Sequence, residues 1–119
     1  MPILGIGTDI VEVGRIRDVC EREPGFVNRV FTAGELEYSL AKETRYMHLA
    51  VRFAAKEAVA KALGTSLSWQ DVEVANDPSG RPRVILHGKA RGAVGNATIH
   101  ISISHTRQYA TAVAVVEEQ

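Results

Sequence analysis

Between positions 3 and 13 aliphatic residues dominate, with glycines at 5 and 7, and this pattern predicts a β-strand open to close backbone approach. When extended, it puts Gly5, Gly7, Asp9, Val11 and Val13 on one face and Leu4, Ile6, Thr8, Ile10 and Glu12 on the other. Asp9 thus shares the glycine-bearing face. From Arg15 to Glu23 the pattern turns helical, with Ile16, Val19 and Cys20 on one side. Pro24-Gly25 interrupts it, and Phe26, Val27, Val30 and Phe31 predict another short turn or helix. Thr32 and Glu35 form a capping box that opens a helix running through about Lys42, with Leu36 and Leu40 packing inward.

The longest helical signal spans roughly Thr44 to Leu63. Leu49, Phe53, Ala60 and Leu63 make its apolar stripe, small Ala54, Ala55, Ala58 and Ala62 permit close packing, and Gly64 supplies the stop. Arg52, Lys56, Glu57 and Lys61 remain as its polar residues, and Glu57 and Lys61 project from the same face. Beyond Trp69 the period shortens. Val72 and Val74 alternate with polar residues in a strand, Asp77-Pro78-Ser79-Gly80 turns, and Pro82 to Leu86 returns as a second strand. A short helix follows at Lys89 to Val94, weakened by Gly88, Gly92 and Gly95. Thr98 to Ser104 is a strand with Ile99, Ile101 and Ile103 on one face, and Tyr109 to Val116 is another, joined to it through His105 to Gln108. With no internal repeat and no linker, residues 1–119 read as a single α+β domain. Strands this short cover only part of their own surface, which favours a homo-oligomer.

Composition narrows the function classes. Hydrophobic residues make up 45% of the 119 and charged residues 24%, as in a folded soluble protein. The 14 basic and 14 acidic side chains balance, so no overall field recruits nucleic acid or an acidic membrane, and any anion site is a local cluster. Cys20 stands alone, which excludes an internal disulfide and fits a reducing compartment. The N-terminal residues form neither a signal peptide nor a membrane span, so a cytoplasmic location is expected.

Three polar groupings carry candidate chemistry: Asp9 inside an apolar strand, the Arg52/Lys56-Glu57/Lys61 set, and Ser102-Ile103-Ser104-His105-Thr106. Each has a structural alternative. Asp9 suits a hydrogen-bond acceptor at a strand end, and Glu57 with Lys61 suits a solvated helix ion pair worth about 0.3–0.5 kcal/mol. Ser102 and Ser104 suit the wet side of a strand, and His105 an exposed turn. Cysteine and histidine are too sparse for structural zinc, and the N-terminal glycines match neither a phosphate loop nor a dinucleotide fingerprint.

Taken in order, the groupings resemble the holo-acyl-carrier-protein synthase family of 4′-phosphopantetheinyl transferases. The resemblance is carried by Gly5-Ile6-Gly7-Thr8-Asp9-Ile10-Val11-Glu12 with Arg15-Ile16, then Phe31-Thr32 with Glu35-Leu36 and Tyr38. It continues through Arg52-Phe53-Ala54-Ala55-Lys56-Glu57-Ala58, Lys61-Ala62-Leu63-Gly64-Thr65, Asp71 to Val74, Gly80-Arg81-Pro82 and Ser102 to Thr106. After Thr65 this chain has Ser66-Leu67-Ser68-Trp69, where many relatives carry another glycine and a longer loop.

The resemblance implies a long helix packed on a small antiparallel sheet, assembled as a trimer with active sites between subunits. It implies transfer of 4′-phosphopantetheine from coenzyme A to a serine of an apo acyl carrier protein. Asp9 and Glu57 would hold Mg2+, a cation that takes one or two carboxylates plus substrate phosphates. Lys61, with Asp9 and Glu57 in the catalytic set, would neutralise phosphate charge. Arg52, Lys61, Gly64, Thr65 and His105 would contact coenzyme A, and Arg15 and Arg22 would dock the acidic carrier. The base for the serine proton is left among a metal-bound water and Glu57 or Asp9 acting through it. Two rival readings are a non-catalytic coenzyme-A- or carrier-binding module that keeps the fold, and a structural trimer. The carboxylate pair with Lys61 favours the enzyme.

Overall fold

In the computed structural model, which describes residues 2–119, β1 (Ile3–Glu12) runs directly into α1 (Val13–Arg22). Next come α2 (Phe26–Val30), α3 (Ala33–Leu40) and the long α4 (Arg45–Leu63). A 3-10 turn at Trp69–Asp71 leads into β2 (Val72–Asn76) and β3 (Pro82–Leu86), followed by α5 (Gly88–Val94), β4 (Thr98–His105) and β5 (Tyr109–Glu117). β1, β5 and β4 form an antiparallel sheet in that order, and β2 with β3 make a separate two-stranded ribbon. The architecture is the expected α+β one, a long helix lying on a small antiparallel sheet. Among the described residues no helix is long and apolar enough to cross a membrane.

Small residues bring α4 down onto the sheet. On the central strand β5, Ala110, Ala112, Ala114 and Val116 alternate inward and are buried. From the helix side Ala54, Ala55, Ala58 and Ala62 meet them. At β1 the approach is closer still. A Cβ on Gly5 would run into the carbonyl oxygen of Ala62, and one on Gly7 into that of Ala58. The two glycines of the first strand are there because the helix backbone occupies the space a side chain would need. Asp9, two residues on, keeps the same facing and pairs across the sheet with Ala112.

The opposite side of α4 is held by polar contacts. Thr32 and Glu35 form the predicted capping box, Glu35 N–H donating to Thr32 Oγ1 at 3.2 Å and Thr32 N–H to Glu35 Oε1 at 2.9 Å. Glu35 does more than cap. Its Oε2 accepts the Val74 N–H of β2 at 2.7 Å, and its Oε1 lies 2.8 Å from Lys56 Nζ. The Lys56 ammonium also donates to the carbonyl of Trp69 at 2.8 Å and to that of Val72. Both side chains of this ion pair are essentially out of solvent, at 1% and 0% exposure.

Several local expectations shift. α1 starts at Val13 rather than Arg15, because Val13 N–H bonds the Gln108 carbonyl where β1 ends. Leu36 is half-buried, whereas Leu40 faces solvent. On α4, Leu49 is buried, but Phe53, Ala60 and Leu63 are only partly so. The deepest stripe is instead Ala50, Val51, Ala54, Ala55, Ala58 and Val59. On the outer side of the sheet, Leu4, Ile6 and Ile10 are 58%, 68% and 64% exposed.

Candidate active site

Successive helix residues point ~100° apart, so Lys56 and Glu57 serve different neighbours. Lys56 turns into the core. Glu57 turns toward β1, with Lys61 one turn further along the same row. Lys61 Nζ reaches back across the Gly7 contact, donating to the Thr8 carbonyl at 3.0 Å and lying 3.4 Å from Asp9 Oδ1. Asp9 is 17% exposed and Lys61 54%, so this ion pair is open to exchange partners. Burial pushes the Glu57 carboxyl above its ordinary range, the charge of Asp9 pushes it further, and Lys61 pulls the other way. The structure therefore brings Asp9, Glu57 and Lys61 together.

Two clefts meet at this trio. One, of about 520 Å³, lies between α4 and the segment after it, lined by Glu57, Lys61, Gly64, Thr65 and Trp69. The other, of about 490 Å³, lies between α4, β1, α1 and α2, lined by Asp9, Arg15, Arg29, Phe53 and Glu57. Glu57 lines both. Gly64 enters the first cleft as the left-handed C-cap of α4, at φ 71°, with its N–H bonded to the Ala60 carbonyl at 2.9 Å.

The donor set suits a hard divalent cation. Among the described residues no three His, Cys, Asp or Glu side chains converge, which leaves the Asp9–Glu57 pair and open cleft around it. Two carboxylates that repel each other, with a lysine ammonium already drawn to one of them, fit a cation that keeps water and substrate oxygens in its remaining positions.

Arg52 and His105 lie elsewhere. The Arg52 side chain is buried at 3% exposure, its guanidinium 4.5 Å from the Tyr38 ring centroid and its Nη1 donating to the His48 carbonyl at 3.2 Å. Lys42 Nζ sits 4.7 Å from the same ring, and His48 packs edge-on to it. Burial lowers the His48 imidazole, and the charges of Arg52, His105 and Lys42 lower it further, which gathers these groups into one basic cluster. Within one chain the proposed coenzyme-binding residues are thus split between the trio and this cluster.

Of the two arginines on α1, Arg15 lines the second cleft; Arg22 is exposed at the end of the helix and does not. Arg29 was not singled out from sequence, yet it lines that cleft and lies 6.0 Å from the Phe26 ring centroid. Its signal was the three-residue spacing of Phe26 and Arg29 on one helical face, hidden by the Pro24-Gly25 break. The buried role of Glu35 and Lys56 had no local signal, because each is an ordinary helix residue by type. Phe53 stacks on Trp69 with centroids 5.2 Å apart, linking the walls of the two clefts.

Known proteins resemble the chain over nearly its whole length. Residues 5–114 match the family model described as the 4′-phosphopantetheinyl transferase superfamily. The chain is 48% identical to a holo-[acyl-carrier-protein] synthase of Moorella thermoacetica over 97% of its own length and 94% of the relative's. Among solved structures it resembles the holo-(acyl-carrier-protein) synthase of Bacillus anthracis in complex with CoA (3′,5′-ADP), at TM-score 0.84 and 35% identity, covering 98% of each chain. It also resembles the holo-[acyl-carrier-protein] synthase of Neisseria meningitidis, at TM-score 0.87 and 33% identity, covering 98% of this chain and 100% of that one.

Proposed function

The chain is an enzyme of the 4′-phosphopantetheinyl transferase superfamily, and from that membership we propose that it transfers 4′-phosphopantetheine from coenzyme A to a serine of an apo acyl carrier protein. The serine Oγ forms a bond to the phosphorus next to pantetheine, the bond from that phosphorus to the bridging oxygen breaks, and adenosine 3′,5′-bisphosphate leaves. The observation that carries the reading is Glu57, which lines both clefts, beside Asp9 and Lys61. One cleft suits coenzyme A and the other the arriving carrier.

In this reading Asp9 and Glu57 would hold Mg2+, which would supply positive charge against the pyrophosphate. Lys61, now drawn to Asp9, turns to the phosphate charge that develops on the leaving group. The serine proton would be taken up at Glu57 or Asp9 through an intervening water, the two carboxylates being the acceptors that line the carrier cleft. The Gly64 and Thr65 backbone borders the coenzyme cleft. Arg15 with Arg22 meets the acidic carrier, complementary charge orienting the encounter.

In a trimer His105 completes the coenzyme contacts from a neighbouring copy, while Arg52, enclosed against Tyr38 and His48, supports the basic cluster rather than touching the coenzyme. Two observations support this part. The basic cluster lies apart from the trio within one chain, and the outer sheet face leaves Leu4, Ile6 and Ile10 uncovered. A cytoplasmic location and a place in fatty acid biosynthesis belong to the same proposal. The test is to incubate the chain with coenzyme A, magnesium and an apo carrier, then weigh the carrier. A phosphopantetheine mass gain that disappears with Glu57→Ala is expected; no gain with the parent would sink the reading.

A further inference from the structure

We infer that Lys56 is a positioning residue for coenzyme A, holding the far wall of the first cleft in place by its grip on the Trp69 and Val72 carbonyls. The inference rests on the reading of that cleft as the coenzyme site. Its basis is how completely the ammonium is used. Lysine has three N–H donors. In this chain they meet Glu35 Oε1 at 2.8 Å, the Trp69 carbonyl at 2.8 Å and the Val72 carbonyl. Two of the three partners are main-chain atoms of a segment that would otherwise reach α4 only through side-chain packing.

That segment is the wall facing Glu57 and Lys61. Trp69 and Val72 line the cleft opposite them, and Lys56 itself lines it from below. Lys56 and Glu57 are adjacent on one helix, so the same two peptide units carry the proposed metal carboxylate and the anchor of the opposing wall. Lys56 is thus the polar tie between this wall and α4, while Gln70, bonded to the Phe31 carbonyl, ties the same wall to the segment after α2. Glu35 holds the anchor in turn, its two oxygens tied to Lys56, to the Thr32 N–H and to the Val74 N–H of β2. Nothing in the transfer chemistry needs Lys56, whose charge is enclosed. Its contribution is to where the wall stands.

A buried anchor of this kind is also a stability element, so the test has to separate the two effects. Lys56→Met leaves the Glu35 carboxylate buried without its partner and lowers the folded fraction. The double variant Glu35→Gln with Lys56→Met removes both charges together and keeps one acceptor oxygen for the Val74 N–H, so no charge is left buried without a partner. Neither variant can donate to the Trp69 and Val72 carbonyls from position 56. Trp69 is the chain's one tryptophan, so its emission reports the wall directly.

We expect the folded double variant to show a shifted Trp69 emission and a KM for coenzyme A raised by about tenfold or more, with KM for the carrier unchanged. A double variant that folds and keeps both the parent's emission and its coenzyme A KM overturns the inference. So does failure of both variants to fold, which would assign Lys56 to stability alone. A parent that binds no coenzyme A by Trp69 titration overturns the proposed function and this inference with it, and is thereby distinguished from failure of the inference alone.

Discussion

α4 carries two lysine–carboxylate pairs five residues apart, and they behave as opposites. Lys56 and Glu35 meet at 2.8 Å with both side chains enclosed; Lys61 and Asp9 stand 3.4 Å apart with the lysine half in water. The enclosed pair has every donor and acceptor committed, so its members have nowhere else to go. The open pair is held by one long contact and a neighbouring carbonyl, and either partner can be recruited by an arriving ligand. Both lysines stand on α4 and both carboxylates come from other elements, α3 and β1. Solvent access is what separates a fastening from a working group.

The same substitution at the two sites is the hardest test of this contrast. Lys56→Met is predicted to cost about 3–5 kcal/mol, read by guanidinium chloride unfolding, because it strands the Glu35 carboxylate in the core. A loss below about 1 kcal/mol would erase the distinction between the pairs. Lys61→Met should leave unfolding within about 1 kcal/mol of the parent. Its transfer rate should instead fall by about 10²–10³-fold. A variant that transfers normally but unfolds easily would reverse the assignment.

A third substitution probes what lies between the pairs. Gly7→Ala inserts a methyl group against the Ala58 carbonyl and is predicted to cost about 1–3 kcal/mol of thermal stability. It should also slow transfer, since α4 can retreat only by moving Glu57 away from Asp9. Unchanged melting and rate would mean the helix is free to slide.

The smallest effect sharpens the enclosed side. Burial raises the Glu73 carboxyl, but hydrogen bonds from His87 and from Thr32 Oγ1, at 2.9 Å each, outweigh it and hold the group below its ordinary range. A carboxyl depressed on folding contributes stability above its unfolded value and loses it as pH falls through the folded one. His87→Ala should therefore lower the melting temperature slightly at neutral pH and flatten its acid-side fall, the two proteins converging once Glu73 is protonated in both. An identical acid limb in both proteins would remove Glu73 from this part of the molecule.

Sequence periodicity was enough for the elements. The capping box, the glycine-bearing strand face and the helix stop at Gly64 all appear where local chemistry puts them. The Glu57–Lys61 row was legible as helical spacing, and the glycines marked a close approach beside Asp9, but that α4 is what approaches came only from the family resemblance. Burial of charge was not legible. Arg52 and Lys56 share a helix with Glu57 and look equally polar in one dimension, yet both are enclosed by elements distant in sequence. The 3-10 turn at Trp69–Asp71 escaped for a similar reason, since a bond from a residue thirteen positions earlier helps hold it. Leu40, placed inward by type alone, lies where α3 has nothing to cover it.

The contact of Gly5 and Gly7 with the Ala62 and Ala58 carbonyls has one more consequence. The gap between strand and helix, and with it the separation of the two acids they carry, is fixed by main-chain atoms alone. A wall built of side chains, such as the one formed by Leu67 and Trp69, can be adjusted through inheritance in increments of a methyl or a rotamer. The gap between Asp9 and Glu57 has no such increments, because the smallest change on offer, glycine to alanine, already exceeds the free space. Natural variation can therefore reshape what the clefts accept while the spacing of the acids stays outside its reach.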